Sequence, residues 1–513
     1  MTETALSFEL PANLAVEKFI AKLSKKTVIE LALQQYSLKT FYDSFDWRLY
    51  NANLICEFNQ SKNGSSLSLI SSLNGKVITS TELDDVPAFA SEFKDNVMAN
   101  KLAMLLEVRA LLPLTTVDLQ IYKINILNRE QKTVARLMIE QYDQLKTRLS
   151  IQAIKGYDKA YIRLSALLQD EFSLKTAEKG LLIRALKRQG RKPNDYSSKL
   201  NLKLTPEMTA AEAVRVIYKT LLKTIKLNEQ GTIEDIDSEF LHDFRVAVRK
   251  TRSALSQIKA IFPDEHNAYY KEYFAWLGTI TGLTRDMDVY LLSFDDYKAS
   301  LPESMREDLN PLHEFLLFKQ AHAQKELANH LKSKKYLTTL HDWELYLKRF
   351  IEKEDLQKNT HISIKELADS RIWKVYQQVL NDGAAINEDS PAELLHDLRK
   401  TCKKLRYLME FFQSLYPPEK IKTLIKALKG FQEVLGNFQD YEVQEISLKQ
   451  FSEEMMQQGT PSNTFLAMGV LVQGLEERRG KARHDFTGRF NDFKVPLNQK
   501  VFKFLFAHKS KGE

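Results

Sequence analysis

Alternating apolar and polar residues dominate the first part of the chain. Residues 64–80, GSSLSLISSLNGKVITS, predict two strands joined by an Asn-Gly turn. A second hairpin is predicted over residues 117–142 around Asn128–Lys132, and residues 149–156 predict a strand that leads into the helix DKAYIRLSALLQD. This mixture of short strands and helices is typical of a small antiparallel α+β domain.

A helical period replaces the strand period from about residue 207 onward. Apolar residues recur there at spacings of three and four, and short segments such as FPDEH, INEDSPAE and YPPEK separate the predicted helices. One helix start is marked by Ser390 as N-cap, Pro391 in the first turn and Glu393 of a capping box. We therefore divide the chain into an α+β domain at residues 1–195, a linker at 196–206 and an all-α domain at 207–513.

The composition fits two globular domains and argues against a membrane protein. Of the 513 residues, 43% are hydrophobic and 27% are charged, and no apolar run reaches the ~18 residues of a membrane span. We expect no signal peptide in the opening MTETALSFEL. The two cysteines, Cys56 and Cys402, are expected to be reduced thiols, which predicts a cytoplasmic protein.

The net charge of +7 is unevenly distributed along the chain. Residues 1–200 carry 28 basic and 22 acidic side chains, whereas residues 201–513 carry 46 and 45. An anion site in the helical domain therefore has to come from local clustering of basic residues, because that domain has almost no net charge.

One phrase occurs twice in the helical domain. LHDFRVAVRKTR begins at Leu241 and LHDLRKTCKKLR begins at Leu395, 154 residues later. The same offset aligns the later segments GLTRDMDV and GNFQDYEV without a gap. We infer a duplicated helical unit with repeats at about 207–360 and 361–513, related by a pseudo-two-fold axis.

Each copy of the phrase places a stripe of cations along a helix. At about 100° per residue, positions 0, 3, 7 and 10, counted from the histidine, fall within an arc of about 80°. The stripes are His242, Arg245, Arg249 and Arg252 in the first copy, and His396, Arg399, Lys403 and Arg406 in the second. The apolar residues of the first copy cluster on a separate face, which predicts packing in a bundle; they are Phe244, Val248, Thr251, Leu255 and Ile258.

Like charges along one stripe repel each other, and no acidic residue lies on that arc to neutralise them. For one such helix, a solvated surface face and a histidine used only for packing or capping are the simpler interpretations. Two copies in one register favour a site for a polyanion, because forked guanidinium groups donate well to phosphate oxygens.

The two phrases, together with GLTRDMDV and VLGNFQDYEV, closely resemble the CHAD domain, the conserved-histidine α-helical domain. The resemblance covers residues 207–510 or so. It implies two helical bundles related by a pseudo-two-fold axis, with a basic channel or pocket that binds inorganic polyphosphate. It also implies that the eight stripe residues contact polyphosphate, as do Lys250 and Lys404, which match the family's basic pattern off the main stripe.

The first domain resembles a CYTH domain, the triphosphate-tunnel fold, in the segments TFYDSFDWRLYNANLICEF and LSIQAIKGYDKAYIRLSALL. Enzymes of that fold open with Glu-x-Glu-x-Lys, whereas this chain has LSFELPAN and keeps at most Glu9. Ser150 and Gln152 stand where paired glutamates are expected. Metal-dependent phosphate hydrolysis needs hard oxygen ligands and cations. We therefore expect a degenerate antiparallel β tunnel with no catalytic residues and no metal or other cofactor.

The resulting hypothesis is a non-catalytic protein that binds inorganic polyphosphate and associates with polyphosphate granules. One alternative is a metal-dependent triphosphatase or phosphohydrolase, which the His-Asp pairs at 242–243 and 396–397 would suggest. Others are binding of nucleic acid or another polyanion, and a helical scaffold for acidic proteins. Nucleic acid is disfavoured because base stacking calls for exposed aromatic residues, which the two stripes lack.

Overall fold

The computed structural model describes residues 7–11, 13–177, 180–349 and 357–507. The chain divides into two units, Met1–Ser198 and Lys199–Glu513, and each has its own hydrophobic clusters. The first unit is an antiparallel sheet with helices and the second is all helical, which confirms the predicted fold class.

The strands of the first unit form one antiparallel sheet in the order β5-β4-β3-β2-β6-β7-β8-β1-β9. They are β1 Ser7–Glu9, β2 Val28–Asp43, β3 Leu54–Ser61, β4 Gly64–Ser71, β5 Val77–Glu82, β6 Leu112–Leu127, β7 Thr133–Tyr142, β8 Arg148–Ala153 and β9 Lys175–Thr176. Both predicted hairpins are confirmed, since β4 pairs with β5 and β6 pairs with β7. The turn between β4 and β5 uses Gly75 at φ +69°, a conformation that glycine adopts without a steric cost.

The helices of the first unit cover both faces of this sheet. They are α1 Val16–Leu23, α2 Arg48–Asn51, α3 Asn96–Leu106, α4 Asp158–Ala166 and α5 Leu181–Arg188. Helices α1 and α4 pack with Ile124 and Ile126 of β6, whereas α5 packs with Val117 and Leu119. Even-numbered and odd-numbered residues of a strand point to opposite faces, so both faces of β6 are apolar and covered.

The second unit is built from helices joined by short connections. They are α6 Ala210–Ile233, α7 Ser238–Gln257, α8 Asp264–Ile280, α9 Gly282–Leu292, α10 Phe294–Ser300, α11 Asn310–Leu331, α12 Lys334–Arg349, α13 Ile364–Ala384, α14 Ala392–Phe412, α15 Pro418–Gln457, α16 Ser462–Phe493 and α17 Pro496–Phe506. One continuous core contains buried residues of α6, α7 and α8 together with those of α13, α14 and α15. The two repeats therefore share a core.

Equivalent residues of the two repeats meet directly at an isolated bridge. Thr209 and Ser363, which the repeat offset relates, pair in antiparallel orientation just before α6 and α13. The residues on either side of this pair exchange two backbone hydrogen bonds, which are 2.9 Å and 3.0 Å long. Ala210 donates to Ile362, and Ile364 donates to Met208, so each bond becomes the other when the repeats are exchanged. A pseudo-two-fold axis therefore passes through the bridge, as the repeat predicted.

The repeat is also visible in where the helices begin. Helices α7 and α14 start at equivalent residues, Ser238 and Ala392, and α8 and α15 have the equivalent N-caps Pro263 and Pro417. The first repeat breaks between α8 and α9 at Thr281, whereas α15 runs on without a break. The first repeat is thus interrupted at Thr281, where the second repeat has one continuous helix.

The predicted capping box at the start of α14 is wrong. The N-cap is Pro391, and no side chain caps the helix. Ser390 instead forms hydrogen bonds with Asn387 in the preceding turn. The serine hydroxyl therefore bonds within the turn and does not cap the helix, and both kinds of hydrogen bond are common for serine.

Gly383 of α13 provides a test of the packing between the helices. A Cβ atom added there would overlap the buried ring of Phe490 in α16. We expect Gly383→Ala to lower the free energy of unfolding by about 1–3 kcal/mol, measured by urea denaturation with circular dichroism. The matched control is Gly430→Ala in α15, where nothing lies within 4 Å of an added Cβ. It should be neutral or stabilising by about 0.5–1 kcal/mol, and equal losses in both variants would contradict this packing.

Candidate anion-binding site

Helix α7 buries the apolar face that its sequence predicts. Phe244, Val248, Thr251, Leu255 and Ile258 are all at most 4% exposed. Their burial fixes the rotation of the helix, so the cationic stripe lies at the edge of the packed face. Helix α14 contacts α7, and Lys250 of α7 forms an ion pair with Glu410 of α14 at 2.9 Å.

A cavity of about 310 Å³ lies where α7, α9, α14 and α15 meet. Its lining residues are His242, Arg245, Arg249, Arg285, Asp286, Val289, Tyr290, Arg399, Gln439, Asp440, Val443 and Gln444. Ten of these twelve residues form five pairs that the offset of 154 relates, such as Arg245 with Arg399 and Asp286 with Asp440. The cavity is therefore built by both repeats from equivalent positions.

Four of the ten residues predicted for the site line this cavity. They are His242, Arg245, Arg249 and Arg399. Lys403 lies outside the lining but close to it, because its charge interacts with those of Arg249 and Arg399. The two stripes thus face a common space over part of their length.

The other predicted residues are placed differently. Lys250 is 9% exposed and its ammonium is held by Glu410, so its charge is directed into the interface between α7 and α14. Arg406 also faces Glu410, at 3.5 Å. His396 lies 2.8 Å from Glu442, while Arg252 and Lys404 lie outside the lining. The prediction placed these side chains by their position on their own helix. It included neither Glu442 of the neighbouring helix nor Glu410, which lies one turn beyond Arg406 and also faces Lys250.

Arg245 is held firmly in the wall of the cavity. Its Nη1 donates to the Thr281 hydroxyl at 2.7 Å and to the Gly278 carbonyl at 3.1 Å. Burial, together with the nearby Arg249 guanidinium, lowers the pKa of Arg245 to about 10. The break between α8 and α9 at Thr281 therefore supplies the polar atoms that orient this guanidinium.

Arg399 and Lys403 show the same electrostatic strain in the second repeat. Burial lowers the pKa of Arg399. The carboxylate of Asp440 partly offsets this decrease, and the charge of Arg249 adds to it. Burial, with Arg399 and Arg249 as the next largest causes, lowers the pKa of Lys403 to about 8. The site thus keeps partly desolvated cations close together, and a bound anion would relieve their mutual repulsion.

Several lining residues were absent from the sequence-based prediction. Arg285 adds a cation from α9, and Gln439 of α15 accepts from Arg399 at 2.8 Å. Asp286 and Asp440 both lie within helices and line the cavity. The matched segments GLTRDMDV and GNFQDYEV were the signal that could have identified this second wall.

The two His-Asp pairs differ in their surroundings. Asp243 is 5% exposed, whereas the side chain of Asp397 is 69% exposed and pairs with Lys400 at 3.0 Å. Within the described ranges, no cluster of three or more His, Cys, Asp or Glu side chains could hold a metal ion. Nor does any described helix have the length and apolar character needed to cross a bilayer.

In the first unit, three charged side chains from different strands are joined by ion pairs. Lys39 of β2 lies 2.8 Å from Glu57 of β3 and 3.5 Å from Glu140 of β7, and its side chain is only 11% exposed. Glu140 also accepts a hydrogen bond from the Tyr142 hydroxyl at 2.8 Å. Both carboxylates thus already have a cation between them.

Glu9, the one acid retained from the tunnel-enzyme opening, is also paired. It lies 3.0 Å from Lys146 and 3.7 Å from Arg184 of α5. Ser150 and Gln152 occupy neighbouring positions of β8, which pairs with β1 and β7. The carboxylates near this end of the sheet are therefore matched by protein cations.

A comparison with known protein families covers the region of the cavity. The model of the CHAD domain matches residues 217–449. Residues 217–449 form a CHAD domain. All residues that line the cavity fall within this CHAD domain, and the recognition made from the repeated phrases is confirmed. No curated protein matches the chain.

Three of the solved structures that are similar to the chain come from different organisms. The CHAD domain from the plant Ricinus communis is 23% identical, and the match covers 61% of this chain and 97% of that chain with a TM-score of 0.45. PptA from Streptomyces chartreusis is 13% identical, with 55% and 100% covered and a TM-score of 0.43. A putative adenylyl cyclase from Hippeastrum, described as having a dominant triphosphatase activity, is 14% identical, with 38% and 99% covered and a TM-score of 0.28.

Repulsion between the buried cations of the CHAD domain should lower its free energy of unfolding. Because the pKa of Lys403 falls to about 8, the folded state binds the proton of the Lys403 ammonium less well than the unfolded state does. We expect Lys403→Met to raise the free energy of unfolding at pH 7 by about 1–3 kcal/mol. The gain should shrink as the pH rises from 8 towards the unfolded pKa of 10.5, because the wild-type lysine then becomes neutral in both states.

The matched control for this experiment is Lys404→Met, on the same helix but outside the cavity. Urea denaturation at pH 7 and pH 9.5 without added phosphate would measure both variants. A loss of stability in Lys403→Met at pH 7 would contradict the placement of Lys403 among repelling cations.

Proposed function

We propose that the CHAD domain of this protein binds inorganic polyphosphate in the cavity between α7, α9, α14 and α15. The observation that supports this most is the convergence of Arg245, Arg249, Arg285 and Arg399 from both repeats on one cavity. Guanidinium groups donate in pairs to phosphate oxygens, and a chain of phosphates offers many such oxygens at close spacing.

Polyphosphate fits the cavity better than nucleic acid does. Tyr290 is the aromatic residue among the lining side chains, and it is 4% exposed and packs against Phe451. Its ring is therefore buried, and no face of it is exposed for a base to stack on. The near-neutral charge of residues 201–513 also favours a focused site over the long basic surface that a duplex needs.

The protein acts as a binding protein on this proposal, with the α+β domain playing no catalytic part. Glu57 and Glu140 share the ammonium of Lys39, and Glu9 is paired with Lys146 and Arg184. A metal ion would have to displace these cations before it could reach the carboxylates. Association with polyphosphate granules would follow from the binding activity of the CHAD domain.

The binding proposal predicts unequal effects along the first stripe. Arg249→Ala removes an exposed guanidinium from the cavity, and we expect a loss of about 1.5–3 kcal/mol in binding of long-chain polyphosphate. Arg252→Ala is the matched control, because Arg252 is exposed on the same helix but lies outside the lining. Isothermal titration at several salt concentrations would measure both, and the affinity should fall as salt rises.

Single-stranded DNA, RNA and an acidic peptide serve as competitors in the same titration. Tighter binding of a nucleic acid or of the peptide than of polyphosphate would overturn the assignment. An Arg252→Ala loss as large as that of Arg249→Ala would place the site outside the cavity.

The triphosphatase alternative is tested with the full chain, Mg²⁺ or Mn²⁺ and inorganic triphosphate. Because Glu9, Glu57 and Glu140 have protein cations as partners, we expect no phosphate release above that of buffer. A phosphate-release assay measures this directly. Turnover that is lost in Glu57→Gln and Glu140→Gln would show that the first unit is an enzyme after all.

A further inference from the structure

The two halves of the cavity carry different charges although they come from equivalent positions. The first repeat contributes Arg245, Arg249 and Arg285, against the single carboxylate of Asp286. In the second repeat Gln439 replaces the arginine of α9, and Arg399 faces Asp440. The first half is therefore positive, and the second half is close to neutral.

Ion pairs enlarge this difference. Arg399 Nη2 lies 3.1 Å from Asp440 Oδ1, and Arg406 and His396 lie 3.5 Å and 2.8 Å from glutamates of α14 and α15. Within the described part of the chain, Arg245, Arg249 and Arg252 make no ion pair within 4 Å. Three of the four residues of the second stripe, all but Lys403, thus lie next to protein carboxylates, whereas, among the described residues, the arginines of the first stripe do not.

We propose that the first-repeat half of the cavity docks the anion and that Asp440 competes internally with the ligand for Arg399. This inference rests on the proposed binding function and adds the residue that limits its affinity. The side chain of Asp440 is 60% exposed, whereas that of Arg399 is 18% exposed and also held by Gln439. Asp440 can therefore turn away into water, while Arg399 stays in place to receive a phosphate oxygen.

The exchange has a definite energetic consequence. A ligand that reaches Arg399 must first replace one carboxylate with its own oxygen, so part of its binding free energy offsets the broken pair. Removal of the carboxylate should tighten binding even though it adds no contact to the ligand. This gain depends on Arg399 being present, which separates it from a general reduction of negative charge near the site.

The first experiment compares Asp440→Asn with Asp286→Asn. Both variants remove one negative charge from the same cavity at equivalent positions, but Asp286 makes no ion pair within 4 Å in the described ranges. We expect Asp440→Asn to bind long-chain polyphosphate about two- to fivefold more tightly, the range typical of releasing one partly exposed ion pair. Asp286→Asn should give a smaller gain.

The second experiment places Asp440→Asn in an Arg399→Ala background. If Asp440 acts through Arg399, the gain of the asparagine should disappear there, whereas a through-space effect would persist. Competition for Arg399 is overturned if Asp440→Asn fails to tighten binding, or if its gain is the same with and without Arg399.

Failure of this inference can be told apart from failure of the binding proposal. If the wild-type protein does not bind polyphosphate, both the binding proposal and the role of Asp440 are wrong. A wild-type protein that binds, with Arg249→Ala weakened and Asp440→Asn unchanged, removes only the role of Asp440. Circular dichroism of each variant checks that it is folded, which the exposure of Asp440 leads us to expect.

Discussion

Repulsion between desolvated cations is the constraint on which the helical unit depends. Arg245, Arg249, Arg399 and Lys403 are held near one another at the meeting point of two repeats, and the pKa values of Arg245 and Lys403 fall because of burial and of neighbouring like charges. Such a group of charges persists only if packing elsewhere supplies the necessary stability. The core shared by both repeats provides it, because the helices that carry the stripes cannot rotate or separate without exposing buried apolar residues.

The repeat determines where these cations meet. The apolar face of α7 orients the first stripe, the equivalent face of α14 orients the second, and the bridge at Thr209 and Ser363 relates the two. The cavity then arises where α9 and α15 complete the walls. In the first unit, by contrast, the cation Lys39 lies between the carboxylates of Glu57 and Glu140, and the buried Asp43 accepts three backbone N–H bonds. Cations of the first repeat at the cavity are thus left without carboxylate partners among the described residues, whereas Lys39 is paired, and the binding function that we propose lies among these unpaired cations.

Periodicity and internal repetition predicted much of this architecture. The two hairpins, the helical second unit, the pseudo-two-fold axis and the buried face of α7 follow from local patterns that tertiary packing did not override. The positions of Arg245, Arg249 and Arg399 at one cavity followed from the same patterns. The ion pair of Lys250 did not follow from them, because periodicity gives the direction of a side chain on its own helix, but not the presence of Glu410 opposite. The predicted N-cap at Ser390 was wrong for a similar reason, because the hydroxyl of Ser390 bonds to Asn387 in the preceding turn.

The bridge between Thr209 and Ser363 is what one finds at the contact between identical subunits of a dimer, where each residue meets its own copy. In such a dimer both halves of a shared cavity must stay identical, since one gene encodes them. Joining the halves in a single polypeptide lifts that restriction. Position 285 can then carry an arginine while its equivalent, position 439, carries a glutamine, so the covalent connection allows the two ends of one pocket to differ.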